Sequence, residues 1–385
     1  MSATLPTIEQ DVYGEYNGTP VYRFVLTNGS GMSVALISYG AIIQELHVPD
    51  AAGKTANVVL GFSNLTQYFG KHPHFGSVIG RYANRIGGST FTLDGTEYHL
   101  TPNKGTFTAH GGSRPFDRYV WDAETVETEH GPGVKMTHVS PDGDEGFPGE
   151  FTATVTYTLT EDNELRLDYT ATTTKPTVHN LTNHSYFNLG GEAMGDVEHH
   201  ILSMPSTEYT PTGIDQIPTG EIAKVKGTAL DFTSPRQLTD AIRNGRDPQI
   251  RIARGLDHNF VVKRKKGSND LVEAARLEHP DSGRVMTVLT TMPGIQVYTS
   301  NSLDGSIAGY SGRLYRQTDA ICFETQNFPD APNHREFPSA VLRPDEEFTS
   351  TTIYRFSNAS SNEDPDVTAS DAKKASPKRK SSKGA

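Results

Sequence analysis

Short stretches that alternate apolar and polar residues, separated by turn residues, are the feature that most constrains the fold of this chain. Residues 151–159 and 165–170 place apolar side chains at every second position, and an acidic turn joins them. The 36 glycines and 23 prolines supply many further turns. Residues 234–243 are the best helix candidate, with Ser234 as the cap and Pro235 at the first helical position, and residues 63–68 are compatible with one helical turn. The pattern predicts an all-β, mostly antiparallel sandwich with few short helices.

Two hairpins are predicted from local turn chemistry. Asp94-Gly95 lies in the middle of residues 91–100, where this dipeptide is a strong hairpin signal. A second turn, at residues 28–31, separates residues 21–26 from residues 32–37. The second of these strands is apolar on both faces, as in a strand buried between two layers.

Composition places one domain over residues 1–360 and a disordered, Ser/Lys-rich tail over residues 361–385. A net charge of −11 argues against nucleic-acid binding by the fold, although Lys378-Arg-Lys380 is compatible with a nuclear-localisation patch. No signal peptide and no membrane-length apolar stretch is visible. Cys322 is the single cysteine, so no intrachain disulfide is possible and we expect a reducing, cytoplasmic environment.

Two stretches far apart in sequence carry the candidate catalytic groups. His184 stands among small hydrogen-bonding residues and aromatics within residues 180–191. Glu324 stands inside the apolar run 320–329, where a carboxylate is costly unless it is paired or functional. A lone histidine is more often a satisfied core residue, but a base and an acid on neighbouring strands are what general acid–base catalysis requires.

Further polar residues lie at bends. Arg81, Asn84 and Arg85 fall within the glycine-bounded segment 80–88, which lacks the glycine spacing of a nucleotide-binding loop. His110 precedes two glycines, at a bend where the backbone can approach a ligand closely. Asp257 begins a strand, and Gln296 follows the Pro293-Gly294 break. His72-Pro-His74 has no evident third metal ligand nearby, and we interpret both histidines as loop residues.

These segments together resemble the aldose 1-epimerase (galactose mutarotase) family. The matching motifs, in order, are Gly80-Arg-Tyr-Ala-Asn-Arg-Ile86, His110-Gly-Gly112, Asn183-His-Ser-Tyr-Phe-Asn-Leu189, Thr210-Pro-Thr-Gly213, Ile217-Pro-Thr-Gly-Glu221, Leu256-Asp-His-Asn-Phe260, Pro293-Gly-Ile-Gln-Val-Tyr-Thr299 and Glu324-Thr-Gln-Asn-Phe-Pro-Asp330. The resemblance implies a β-supersandwich with a groove for a pyranose. It also implies His184 as general acid, Glu324 as general base, and the sugar-binding residues Asn84, Arg85, His110, Asp257 and Gln296.

The implied activity is interconversion of the α and β anomers of free hexoses such as galactose and glucose. It involves no metal or other cofactor, no nucleic acid and no membrane, and we expect a monomer or weak homodimer. We also expect Glu324 and Asp257 to raise the pKa of His184. Three alternatives stay open: a hexose-6-phosphate 1-epimerase, which needs a basic cluster beyond Arg81 and Arg85, a glycosidase using Asp257 and Glu324, and a non-catalytic sugar-binding module.

Overall fold

The computed structural model describes residues 7–265 and 267–359. Its strands, in chain order, are β1 (Thr7–Tyr16), β2 (Thr19–Thr27), β3 (Ser33–Ile37), β4 (Ile42–Pro49), β5 (Thr55–Asn57), β6 (Val78–Ile79), β7 (Arg85–Ile86), β8 (Thr90–Leu93), β9 (Thr96–His99), β10 (Thr108–Ala109), β11 (Asp122–Thr128), β12 (Gly131–Ser140), β13 (Phe151–Leu159), β14 (Glu164–Thr173), β15 (Thr177–Val178), β16 (Thr182–Asn183), β17 (Tyr186–Phe187), β18 (Ile201–Ser203), β19 (Glu208–Thr210), β20 (Ala223–Lys224), β21 (Arg236–Gln237), β22 (Asp257–Val261), β23 (Val272–His279), β24 (Arg284–Thr290), β25 (Gly294–Tyr298), β26 (Asp304–Ala308), β27 (Leu314–Arg316), β28 (Ile321–Gln326), β29 (Val341–Leu342) and β30 (Phe348–Asn358). The α-helices are α1 (Thr66–Phe69), α2 (Thr239–Ile242) and α3 (Pro248–Ala253). The all-β prediction is therefore confirmed.

Three sheets form the body of the fold. The largest has nine strands in the order β11-β12-β13-β14-β30-β24-β23-β18-β21. A six-stranded sheet has the order β17-β28-β25-β22-β19-β20, and a five-stranded sheet runs β1-β2-β3-β4-β5. The strand pairs within them are antiparallel, as predicted.

The nine-stranded and six-stranded sheets pack face to face. Alternate residues of β13 and β14, such as Tyr157 and Leu167, share one buried apolar cluster with Phe323 of β28 and Val297 of β25. The Tyr354 hydroxyl of β30 donates a hydrogen bond to the Phe323 carbonyl at 3.2 Å, which ties the two layers together. Because strand side chains alternate between faces, the neighbours of Phe323 on β28 must point to the opposite face of the six-stranded sheet.

Both predicted hairpins are confirmed. Strands β8 and β9 pair from Thr90 opposite His99 to Leu93 opposite Thr96, around the Asp94-Gly95 turn. Strands β2 and β3 pair around residues 28–31, and β3 is almost wholly buried. These turns were predictable because each depends on the residues at the turn itself.

The predicted helix over residues 234–243 is mostly wrong. Arg236 and Gln237 form β21 and pair with β18, so only the single turn α2 is helical. Backbone pairing to the nine-stranded sheet has replaced local helix propensity there. The predicted tail, residues 361–385, lies outside the described residues. Within the described part of the chain, no helix is both long enough and apolar enough to cross a membrane.

Candidate active site

One cavity of about 1080 Å³ opens on the face of the six-stranded sheet away from the nine-stranded sheet. Its lining includes six of the seven residues singled out in the sequence, namely Asn84, Arg85, His110, His184, Asp257 and Glu324. Other segments also reach it, among them residues 69–74 and 301–307. Residues dispersed over most of the sequence therefore meet at one concave site, which is typical of a ligand-binding site.

Glu324 reaches the cavity because of its position on a central strand. It occupies β28 between Phe323, which faces the core, and Thr325. In the β25–β28 register Glu324 lies directly opposite Gln296, which in turn lies opposite Asn259 of β22. Its carboxyl oxygen Oε2 is buried and has no hydrogen-bond partner among the described residues. An unpartnered buried carboxyl in a cavity wall marks a functional position rather than a structural one.

His184 lies in the link between β16 and β17, held by its backbone. Its N–H donates to the Ser77 carbonyl at 2.9 Å, and its carbonyl accepts from the Gly76 N–H at 3.1 Å. The imidazole stacks on Tyr186, with ring centres 5.0 Å apart and planes inclined by 20°. Its Nε2 lies 3.7 Å from Glu324 Oε1, which is close enough for electrostatic coupling but too long for a direct hydrogen bond.

The expectation that the pKa of His184 is raised is wrong. Burial, reinforced by the positive charge of His74, lowers the pKa of His184 to about 3 despite the opposing effect of Asp257. Burial, reinforced by the negative charge of Asp257, raises the pKa of Glu324 well above its ordinary value. Loss of water thus outweighs mutual attraction, and burial favours a neutral imidazole beside a protonated carboxyl.

Asp257 anchors a polar network at the start of β22. Its Oδ2 accepts a hydrogen bond from Arg85 Nη2 at 2.9 Å, and its Oδ1 accepts one from Gln296 Nε2 at 2.7 Å. The same Arg85 nitrogen donates to Gln216 Oε1 at 2.9 Å. Burial alone would raise the pKa of Asp257, but Arg85 and Gln296 lower it below its ordinary value. The carboxylate is therefore ionised and fixed in place.

His110 and Asn84 are joined by two hydrogen bonds, one between their backbones and one from the Asn84 backbone to the His110 ring. The His110 N–H donates to the Asn84 carbonyl at 2.8 Å, and the Asn84 N–H donates to His110 Nδ1 at 3.3 Å. That bond leaves Nε2 as the protonated nitrogen of a neutral His110. Both residues have left-handed backbones, with φ of 63° for Asn84 and 53° for His110. Such strain in residues other than glycine is common at functional sites.

Gln296 and Arg81, which the sequence suggested as possible ligand contacts, are both buried outside the cavity lining. Gln296 is 2% exposed and does not line the cavity, so it holds Asp257 from behind. Arg81 is also 2% exposed, and it donates to the carbonyls of Pro148, Gly149 and Ser140. Arg81 is thus committed to the fold and cannot contribute to a phosphate site.

Sequence reasoning missed His74, which it interpreted as a loop residue. His74 lines the cavity, and its ring centre lies 5.0 Å from that of His110 and 6.0 Å from that of His184. Gln216 and Tyr298 also line the cavity, and the signal for Gln216 was its place between the motifs at residues 210–213 and 217–221. Among the described residues, no group of three or more His, Cys, Asp or Glu side chains is arranged to hold a metal ion.

Comparisons with known proteins identify the family and the fold of this chain. A family model described as aldose 1-epimerase matches residues 22–355. Galactose mutarotases from Rattus norvegicus and Homo sapiens are each 43% identical to the chain, over 355 and 357 residues, covering 92% of this chain and 99% and 100% of the relatives. The crystal structure of a galactose 1-epimerase from Lactobacillus acidophilus matches with a TM-score of 0.80 and 28% identity, covering 91% of this chain and 99% of that one, and confirms the predicted fold. The chain belongs to the aldose 1-epimerase family.

Proposed function

We propose that this chain interconverts the α and β anomers of free hexoses such as galactose, with His184 and Glu324 as the proton-transferring pair. The observation that carries the proposal is the 3.7 Å separation of His184 Nε2 and Glu324 Oε1 in one cavity wall. A histidine and a carboxyl at this spacing can address two oxygens bound to the same carbon. In a pyranose these oxygens are the anomeric hydroxyl and the ring oxygen.

Ring opening breaks the bond between the anomeric carbon and the ring oxygen. One proton leaves the anomeric hydroxyl, whose oxygen becomes the aldehyde oxygen, and another reaches the ring oxygen, which becomes a free hydroxyl. We assign the first step to Glu324 as carboxylate and the second to His184 as imidazolium. The open-chain aldehyde then rotates about its C1–C2 bond. Closure on the other face returns each proton along its path and yields the other anomer.

The proton count of the pair supports this assignment. Ring opening converts ionised Glu324 and protonated His184 into protonated Glu324 and neutral His184, so the pair holds one proton throughout. Burial favours the second distribution. We propose that binding of a closed sugar moves the proton from Glu324 to His184 before ring opening. Such a coupled pair titrates as a unit, and its activity depends on holding one proton rather than none or two.

The network around Asp257 supplies the proposed binding groups for sugar hydroxyls. Arg85 and Asn84 offer donors, Asp257 offers an acceptor, and His110 offers its Nε2–H. Gln296 acts indirectly by fixing the Asp257 carboxylate. A site built to hydrogen-bond hydroxyls discriminates strongly against analogues that lack them.

We propose that the chain acts as a monomer or a weak homodimer. The proposed reaction transfers protons and breaks and re-forms one carbon–oxygen bond, with no redox change and no group transfer, so it calls for no metal or nucleotide. The partner is a free aldohexose, and we place the activity in the cytoplasm. The buried, fold-committed Arg81 gives no support to a hexose-phosphate substrate.

The proposal is tested by dissolving crystalline α-D-galactose in the presence of the protein and following both anomeric proton signals by NMR. We expect the approach to the α/β equilibrium to be much faster than the spontaneous reaction. Binding of galactose with no acceleration would leave a sugar-binding module instead. Acceleration restricted to galactose 6-phosphate would establish the hexose-phosphate alternative.

A further inference from the structure

His74 forms a buried pair with an aspartate at the edge of the cavity. Its Nδ1 lies 2.8 Å from Asp117 Oδ2, at hydrogen-bond distance. The Asp117 side chain is fully buried, whereas the His74 side chain is 23% exposed and lines the cavity. With Nδ1 occupied by Asp117, Nε2 is the ring nitrogen that remains for a ligand.

The aspartate is charged in spite of its burial. Burial alone would raise the pKa of Asp117, but the charge and hydrogen bond of His74 lower it to about 2. Arg118 Nε, at 3.5 Å from Asp117 Oδ1, acts in the same direction. A buried carboxylate that hydrogen-bonds one ring nitrogen of an imidazole is an arrangement that orients functional histidines.

The backbone places this pair against the proposed catalytic histidine. His74 has a left-handed backbone with φ of 62°, as His110 and Asn84 do. Its carbonyl accepts from the Ser77 N–H at 3.1 Å, and the same turn exchanges hydrogen bonds with the backbone of His184. The turn that carries His74 is thus fixed to the segment that carries His184.

His72, two residues earlier, also lies in the cavity lining, but it is only 5% exposed and its ring is packed among aromatic side chains. Its ring stacks on Phe75 and meets Tyr68 edge-on, and both of its nitrogens are buried without a hydrogen-bond partner among the described residues. Burial lowers the pKa of His72 to about 3, so it is a neutral packing group. His74 differs in having a charged partner and an accessible ring.

We propose that His74, oriented by Asp117, is a further sugar-contacting residue that hydrogen-bonds one hydroxyl of the bound hexose through Nε2, on the side of the cavity lined by His110. This inference rests on the proposed function. It adds a determinant of sugar specificity that acts through one hydroxyl. A sugar hydroxyl can donate or accept, so the contact does not depend on the charge of the imidazole.

The test combines variants with deoxy sugars. His74→Phe keeps an aromatic ring against His110 and His184 but removes the hydrogen bond. The double variant His74→Phe/Asp117→Asn avoids leaving a buried carboxylate without its histidine, and His72→Phe is the matched control for packing in the same loop. KM and kcat are measured by polarimetry on galactose and on its 2-, 3-, 4- and 6-deoxy derivatives, with spontaneous mutarotation subtracted.

We expect both His74 variants to raise KM for galactose by about 2- to 12-fold, the range for loss of one hydrogen bond between neutral groups, with a much smaller change in kcat. The rise should disappear for the one deoxy sugar that lacks the contacted hydroxyl. His72→Phe should alter KM by the same factor for every sugar.

An unchanged KM for galactose would overturn the inference, and so would an equal rise on all five sugars. A fall in kcat with KM unchanged would also overturn it, because His74 would then act on His184 rather than on sugar. Failure of the proposed function would instead appear as the absence of mutarotation in the unmodified protein.

Discussion

Replacement of Asp257 by asparagine separates sugar binding from proton transfer. The carboxylate accepts from Arg85 at 2.9 Å and from Gln296 at 2.7 Å, and asparagine keeps its volume but loses its charge. A hydrogen bond to a charged group contributes about 1.5–3 kcal/mol, so loss of one such bond to sugar corresponds to about a 10- to 150-fold rise in KM. We therefore expect KM for galactose to rise at least as much as kcat falls.

The same substitution has a predicted signature in the pH profile. Burial first, and then the negative charge of Asp257, raise the pKa of Glu324. Asp257→Asn removes the negative charge, so the pKa of Glu324 falls. The pair formed by His184 and Glu324 then loses its single proton at a lower pH. The alkaline limb of kcat/KM should therefore move to lower pH in the variant.

Polarimetry from pH 4 to pH 10 measures both effects, and Asp304→Asn provides the control. Asp304 is an exposed carboxylate at the cavity rim, where solvent and salt screen its charge, so we expect KM to change by less than about twofold. An unchanged KM in Asp257→Asn would refute its role in binding. An alkaline limb that stays in place or moves upward would refute the electrostatic reasoning.

Three further predictions concern stability and the tail. Arg81→Met should lower the free energy of unfolding by about 1–3 kcal/mol, seen as a lower Tm, because it leaves buried acceptors unpaired. It should leave KM of the folded enzyme unchanged, and a large rise in KM would contradict this. Because the pKa of Glu324 is raised in the folded chain, the unfolded chain releases this proton at lower pH, and wild-type stability falls as pH rises above the ordinary range of a carboxyl. Glu324→Gln should therefore have a higher Tm than wild type at pH 8 and a smaller advantage at pH 4. A lower Tm than wild type at pH 8 would contradict this prediction. Truncation after Ser360 should leave mutarotation and Tm nearly unchanged, and a large loss of either would show that the tail supports the fold.

The position of Glu324 was predictable because a carboxylate inside an apolar run is anomalous in any fold. The face on which it lies follows from strand alternation once Phe323 is assigned to the core. Its neighbours were not predictable in this way, since the register that sets Gln296 opposite Glu324 is a tertiary property. For the same reason the sequence could not distinguish Gln296 as a support from a direct ligand.

The sign of the pKa shift at His184 depends on how much water the fold removes, which no local pattern reveals. Charge attraction alone would raise this pKa, whereas complete burial lowers it. His74 was missed for a related reason, because its partner Asp117 lies 43 residues away. A histidine beside a proline in a short loop carries no local mark of such a contact.

The helix errors are of a different kind. The 234–243 prediction used sound capping residues, but pairing of β21 with β18 took precedence over them. The same rule would have found α3, whose Asp247 accepts a hydrogen bond from the Gln249 N–H at 2.9 Å and whose first residue is Pro248. Local capping signals thus indicate where a helix can start, and tertiary contacts decide whether it forms.

The most direct test of the central claim is the turnover of Glu324→Gln, His184→Asn and the double variant, measured by polarimetry on α-D-galactose with spontaneous mutarotation subtracted. Each single substitution should lower kcat by about 10²–10⁴-fold in a folded protein. Since the two groups share one proton in one cycle, the double variant should lose less than the product of the single losses. Near-normal turnover in folded Glu324→Gln, or losses that multiply fully in the double variant, would contradict the proposal that His184 and Glu324 act as one acid–base pair.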